Sequence, residues 1–341
     1  MAHTVVKPEK LADHAVGVLA GEVVVPNLMV KKGIEDYKGA KDDTLNFKVK
    51  GTLPFREYGW RNDRSTAIQF DEYAETKVSV TFGGNIYQGV AVTDEQAEMD
   101  FQSYTGLINP QAEAVGRGLE SKAVSHLEAA PYEVVIPVTV GSEHGAFVEA
   151  RRALNLLRAP AEQRIMLVGS SFEANLLNND KFNRADSVGE SAANTALRSA
   201  TIRNWMGFTV ITSQEIDPDS AYAFVQSANV CLTAAPSVPS SVPFGASASY
   251  GGFAMRWLRD YDTVHQQDRS VVNTWYGFQY TKDILVGPHA TAGQKPLQTG
   301  EHFLRGVKLG VGATAKYPDP TVGSPTEVLA QITGLTDPSA A

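Results

Sequence analysis

Seven histidines, a single cysteine and scattered acids are the groups from which this sequence could build a reactive centre. The histidines are His3, His14, His126, His144, His265, His289 and His302. No two stand two or four residues apart, and there is no H-E-x-x-H, so neither a strand nor a helical turn carries a pair toward one metal ion. Each reads as a surface or satisfied polar residue, and no metal ligand is assigned. Cys231 has no partner for an internal disulfide or a thiolate cluster. Its setting, Asn229 to Ala235, reads as a buried strand with the thiol as a small core group.

Two motifs come near a known chemistry and miss it. Gly169-Ser170-Ser171-Phe172-Glu173 follows an apolar run and precedes a helical pattern, the setting of a serine nucleophile on a tight turn. That turn needs G-x-S-x-G, and Glu173 occupies the place of the second glycine. The stretch reads as strand, turn and helix, with Ser170 or Ser171 as N-cap. The run Gly306 to Lys316 is glycine-rich, but Lys316 is followed by Tyr317 rather than Ser or Thr, so it is no phosphate loop. A twisted strand with glycine bulges accounts for it. Glu143, Glu149, Asp180, Asp186 and Glu190 show no pairing in their spacing and read as a solvated face. No catalytic residue and no cofactor site is therefore assigned.

One cluster is different in kind. Arg56, Glu57, Tyr58, Trp60, Arg61, Asp63 and Arg64 alternate in sign beside two aromatic rings. Arg and aromatic side chains are typical anchors of protein interfaces. These seven residues are the candidate contacts between subunits.

The elements around the cluster present it at the end of a hairpin. Leu45, Phe47 and Val49 alternate with Asn46, Lys48 and Lys50; Val78, Val80 and Phe82 alternate with Lys77, Ser79 and Thr81. Period-two alternation predicts half-buried strands. Gly59 and Asn62-Asp63 supply turn material between them. Arms of about 20 residues reach on the order of 60 Å at 3.3 Å per residue, beyond the roughly 50 Å diameter of a globule of this length. An isolated two-stranded ribbon is marginal in water, so a projecting one needs a surface to lie on. A neighbouring copy of the chain is the economical surface. Residues 1–41, with Pro26 interrupting an apolar stretch at 23–30, read as an extended arm in the same situation.

Further along, Thr93 and Gln96 form a capping box, and Ala97, Phe101, Tyr104 and Ile108 fall on one helical face. Asn109-Pro110 reads as the start of a second segment, with Val115, Leu119, Ala123 and Leu127 continuing the stripe. Strands are expected at 132–140, 164–169, 207–213, 221–225 and 229–233, and again within 253–311. Helices are expected at 145–158, 172–177, 191–206 and, from the box Ser324 to Glu327, near the C-terminus. Residues 235–252, rich in Ser, Pro and Gly, read as a linker.

Composition sets the class. The 341 residues are 43% hydrophobic and 20% charged, as an ordered globular protein requires. No run approaches the roughly 18 apolar residues of a membrane helix, and the N-terminus lacks a signal-peptide layout, so synthesis in a cytoplasm and no membrane partner are expected. A net charge of −8 argues against a nucleic-acid coat that grips phosphates.

The joint order of these elements resembles the major capsid (coat) protein of tailed bacteriophages, in the branch that includes short-tailed phages and many phages of actinobacteria. The stretch 164–216 carries the likeness most clearly, with Asn179-Asp180-Lys181-Phe182 in a loop and Gly207-Phe208-Thr209-Val210 opening a strand. Residues 221–239, 250–262 and 274–279 share it. The resemblance implies an α+β fold: an N-terminal arm (1–41), an extended β-hairpin loop (42–93) and a long spine helix (94–128). It further implies a peripheral domain (129–162 and 253–311), an axial domain (163–252) and a C-terminal tail (312–341).

It implies, in function, pentamers and hexamers that close an icosahedral shell around double-stranded DNA, held without sequence-specific binding. The expected place is the virion, after assembly in the host cytoplasm. Because only about 40 residues precede the hairpin, a separate scaffolding protein is expected rather than a fused one. A portal, and in some members a decoration protein, complete the partners. Family members that cross-link through a Lys–Asn isopeptide have no counterpart assigned here. The alternatives are a nanocompartment shell of the same fold and a soluble enzyme with an unrecognised site.

Overall fold

Residues 8–32, 44–49, 59–61, 65, 67–68, 70, 76–99, 104–178, 204–242, 244–284 and 301–316 are described by the computed structural model. In chain order the first half holds α1 (Pro8–Glu22), a 3-10 turn (Val25–Leu28), β1 (Val30–Lys32), β2 (Thr44–Val49), β3 (Thr76–Thr81), β4 (Gly84–Thr93), α2 (Asp94–Met99), α3 (Tyr104–Glu128), β5 (Val135–Val138) and α4 (Glu143–Leu156). The second half holds β6 (Arg164–Val168), α5 (Ser170–Leu177), β7 (Asn204–Trp205), β8 (Phe208–Thr212), β9 (Ser220–Val225), β10 (Asn229–Ala234), β11 (Phe244–Tyr250), β12 (Phe253–Asp262), β13 (Gln267–Tyr280), β14 (Asp283–Ile284), β15 (Glu301–His302) and β16 (Gly306–Val311). Two units emerge: residues 1–46, 79–129 and 229–279, and residues 47–78, 130–228 and 280–341.

The first unit is a six-stranded sheet with two helices on one face. Its strands run β1-β10-β13-β12-β11, and β4 pairs with β13. β11 and β12 are joined by Gly251-Gly252, both at positive φ (62° and 85°), the two-residue hairpin turn that only glycine adopts cheaply. Leu11, Ala15, Val16 and Leu19 of α1 interleave with Ile108, Ala112, Val115 and Leu119 of α3 over Met255, Trp257 and Val272. Fully burying a leucine contributes roughly 2 kcal/mol, which offsets the weak helix propensity of Gly17 and Gly21. Gly116 lets the helices approach: a Cβ there would stand 3.2 Å from the Glu22 Cβ.

The second unit is a mixed sheet, β5-β16-β9-β6-β8-β7. β6 and β9 are buried at every position and lie centrally, as continuous apolar runs must. α4 and α5 contribute Ala146, Phe147, Ala150, Leu154, Phe172 and Leu176 to the core beneath. Trp205 and Phe208 pair across Met206-Gly207, both at positive φ (48° and 80°), so the indole lies 4.8 Å from the Phe147 ring.

Several expectations are corrected. Residues 8–22 are a helix built into the first unit, not an extended arm, because the i, i+4, i+8 stripe of Leu11, Ala15 and Leu19 finds a core. Residues 84–93 are not hairpin: β4 pairs with β13 over ten positions, Gly84 to Thr93. The spine does not restart at Asn109-Pro110. Pro110 forfeits one bond, to the Gly106 carbonyl, and burial of Ile108, Ala112 and Val115 carries α3 through it. The 25 residues of α3 span about 37 Å. Ala97 is exposed, Phe101 lies outside the described residues, and Ile108 of α3 is buried. The linker reading of 235–252 fails at β11, whose Ala246 and Ala248 pack inward between exposed Ser247 and Ser249. The expected boundaries shift too: residues 130–156 pack with β6, β9 and β16, whereas 253–279 pack with α1 and α3. Within the helix expected at 191–206, Asn204 and Trp205 form a strand and 191–203 lie outside the described residues, as does the box at 324–327.

Candidate inter-subunit surface

The hairpin is tied down at its foot and bare toward its tip. β2 pairs with β3, and the Ser79 hydroxyl donates to the Asn46 side-chain oxygen across the ladder at 2.7 Å. Val78 and Val80 are buried. The Gln279 side-chain amide donates to the Ser79 carbonyl at 2.9 Å, and the Gly83 N–H donates to the Tyr276 carbonyl at 2.7 Å. Gly277 is required here, because a Cβ would stand 2.4 Å from the Thr81 carbonyl oxygen.

Of the seven predicted contact residues, Trp60 and Arg61 are described. Trp60 is 91% exposed, and Arg61 is exposed with a left-handed φ of 59°. Arg56, Glu57, Tyr58, Asp63 and Arg64 lie outside the described residues. The structure adds two residues that sequence reasoning missed, Ile68 (67% exposed) and Phe70 (93%). Their signal was available: large apolar side chains following a turn inside a charged stretch. Trp60, Ile68 and Phe70 each leave most of their apolar side chain in water.

The positions probed for chemistry are occupied by structural contacts. At Gly169-Ser170 the helix cap is Gly169, not a serine, and a Cβ there would meet the Asp217 and Pro218 carbonyls at 2.4 and 2.5 Å. The Phe172 N–H donates to Pro218, and the Glu173 carboxylate accepts from Thr212 at 2.8 Å. The first turn of α5 is thus partly filled by the chain itself. Cys231 is buried, and burial pushes its thiol up to about 12, so it stays protonated and inert. His144 packs edge-on against Trp205, His265 sits 2.8 Å from Asp262, and His302 sits 3.2 Å from Glu133. His14 is exposed, and His3 and His289 lie outside the described residues.

His126 stacks on Phe278 with ring centroids 5.4 Å apart. Burial lowers its pKa to about 4, against the opposing hydrogen bond to the Gln279 backbone. Glu143 is not on a solvated face as expected; it is fully buried and accepts the Gly141 N–H at 2.9 Å. Glu149 lies 3.5 Å from Arg152, and Asp180, Asp186 and Glu190 lie outside the described residues. Among the described residues no three His, Cys, Asp or Glu side chains group as a metal site. No described helix is long and apolar enough to cross a membrane.

A family model described as phage capsid protein matches residues 86–295, more than half of the chain. The chain belongs to the phage capsid protein family. No curated protein matches it. Solved structures share the fold at low identity. A chain from Mycobacterium phage Che8 aligns with a TM-score of 0.58 and 14% identity, covering 86% of this chain and 92% of that one. The capsid of cyanophage P-SCSP1u aligns at 0.60 and 8%, covering 92% and 91%. The mature capsid of bacteriophage PhiM1 aligns at 0.55 and 9%, covering 86% and 88%.

The capsid protein therefore has the α+β fold of tailed-phage major capsid proteins, and it is a shell subunit with a structural role. Its place is the capsid of a virion, where many copies assemble. A nanocompartment shell is the less favoured reading, since the matched model is that of phage capsids.

Proposed function

We propose that this capsid protein forms pentamers and hexamers that close an icosahedral shell around the double-stranded DNA of a tailed phage. The hairpin tip, Arg56 to Arg64, makes contacts between copies. The observation that carries this reading is the contrast along one hairpin: a clamped foot at Ser79 and Gly83, and bare Trp60, Ile68 and Phe70 beyond it. A side chain held outward on an anchored ribbon is placed to be covered by something else, and in a closed lattice the available surface is another copy.

A separate scaffolding protein and a portal are the partners of assembly in the host cytoplasm, with a decoration protein as an addition to the finished shell. DNA is enclosed without sequence-specific contact, since a chain of net charge −8 does not neutralise a phosphate lattice. The test is negative-stain microscopy and sedimentation of the expressed chain, alone and with the neighbouring scaffold gene. Closed shells or rings of five and six subunits are expected. A monomer under every condition would overturn the reading.

A further inference from the structure

Two helices turn opposite charge outward. On the outer face of α4, Val148, Arg151, Arg152 and Asn155 are exposed at i, i+3, i+4 and i+7, and Arg158 follows at its C-terminal end. Three arginines thus follow Val148, itself 42% exposed, in a chain that is acidic overall. Arg151 donates to the Met206 carbonyl at 2.7 Å, and Arg152 makes a long pair with Glu149 at 3.5 Å. The Arg158 side chain makes no hydrogen bond or ion pair among the described residues.

The second helix is α2, six residues of which none is buried. Asp94, Glu95 and Glu98 lie at i, i+1 and i+4, followed by Met99, 84% exposed. Its local support is the Thr93–Gln96 capping box and the Tyr261 hydroxyl donating to Asp94 at 2.7 Å. So short a helix is marginal without packing.

We propose that the arginine face of α4 receives α2 of a second copy of the chain, the two helices running antiparallel. In that register Met99 lies against Val148, Glu95 and Glu98 face Arg151 and Arg152, and Arg158 stands beyond the overlap at the C-terminal end of α4. The lengths agree: 94–99 spans about 8 Å and 148–155 about 10 Å at 1.5 Å per residue. The apolar pair within a charged rim is the anatomy of a protein interface and has no counterpart on a phosphate backbone, which is why a second copy is favoured over DNA. The inference rests on the shell reading above and adds a contact distinct from the hairpin tip.

The test uses the full chain with Glu95→Lys/Glu98→Lys, with Arg152→Glu/Arg158→Glu, with all four changes together, and with the two double variants mixed. Arg151 is left in place because it holds the Met206-Gly207 turn. Each double variant should lower the yield of shells about tenfold, because like charges then face each other across the contact. The quadruple variant and the mixture should both return to within about twofold of wild type, as restored opposite charges require. Recovery of the mixture is possible only for a contact between copies.

Normal assembly of either double variant, or no recovery in the quadruple and the mixture, overturns the pairing. So does an arginine variant that forms normal shells but retains less DNA, which would assign the face to nucleic acid. Circular dichroism checks folding. Should Arg152→Glu/Arg158→Glu unfold, Arg152→Gln/Arg158→Gln is read in the same way. A wild type that forms no shells strikes the shell reading; a wild type that forms them beside unaffected variants strikes the pairing alone.

Discussion

Residues 8–32 and the hairpin of 44–81 look alike in the sequence: short apolar pieces among charges, with nothing evident to lie on. Their fates differ. The first segment puts Leu11, Ala15, Val16 and Leu19 into the core of its own unit. The Glu120 carboxylate of α3 accepts the Val24 and Val25 N–H groups at 2.9 and 3.0 Å, capping the 3-10 turn. Lys31 donates to Asn27 and to the Gly251 carbonyl, with its ammonium 4.4 Å from the centre of the Phe253 ring. β1 then pairs in parallel with β10. The hairpin buries Val78 and Val80 at its foot and leaves Trp60, Ile68 and Phe70 in water. Of two segments alike in composition, one can thus be core while the other keeps large apolar side chains in water. Where the apolar stripe goes decides this.

The contrast is broken most directly at Leu19, which is 1% exposed. Leu19→Ala should cost about 2–5 kcal/mol of subunit stability, the range for a buried leucine whose cavity relaxes only partly. Urea unfolding of unassembled subunits measures it through the shift in midpoint at constant slope. A midpoint equal to that of wild type would mean that α1 is an arm after all, and that its packing in the first unit carries no stability.

Acid should act on the same unit. His126 ends α3 stacked on Phe278, with its pKa lowered to about 4 from 6.5 by burial. Between these values the unfolded chain binds the proton and the folded chain does not, so stability falls as pH drops through that window. The loss is on the order of 3 kcal/mol by pH 4, following 1.36 kcal/mol per pKa unit. His126→Phe keeps a ring on Phe278 and removes the titration. Melting temperatures from pH 7 to pH 4 should then decline less steeply than in wild type. An unchanged slope would place the acid-sensitive group elsewhere.

How much of this was legible depends on what each signal needs. Local signals were read correctly. The Thr93–Gln96 box is present with both reciprocal bonds, at 3.3 and 3.4 Å, and Arg164–Val168 is a buried strand. Signals that need tertiary context were misread. Gly17 and Gly21 hide a helix whose stability comes from burial against α3. Ser247 and Ser249 hide a strand whose inner face is only alanine. Gly169 rather than Ser170 caps α5 because the Pro218 carbonyl comes too close for any side chain. At the candidate surface, Trp60 and Arg61 were legible as an aromatic beside a cation. Ile68 and Phe70 carried a signal as well, two large apolar side chains in a charged stretch, but the turn residues that concentrate at 55–64 point the eye to the cluster before them.

The smallest effect on the subunit should come from the tip, and there the assembled state separates the two regions most sharply. Trp60→Ala combined with Arg61→Glu removes a ring that is 91% exposed and reverses a charge that faces water. Unassembled subunits should melt within about 2 °C of wild type, since exposed substitutions rarely move stability further. Arg61 has a positive φ that the replacement must also adopt, and this strain is confined to the turn. On the proposed contact between copies, the same tip recurs throughout a closed lattice, so weakening it even slightly weakens the shell at every repeat. The double variant should therefore give folded subunits that close few shells, or shells that open at lower temperature. Circular dichroism of subunits beside electron microscopy of assembly reactions distinguishes the outcomes. Normal shells of normal heat resistance would make the tip a solvated turn. A subunit that unfolds would mean the tip packs on its own chain, and the hairpin would then resemble residues 8–32 rather than oppose them.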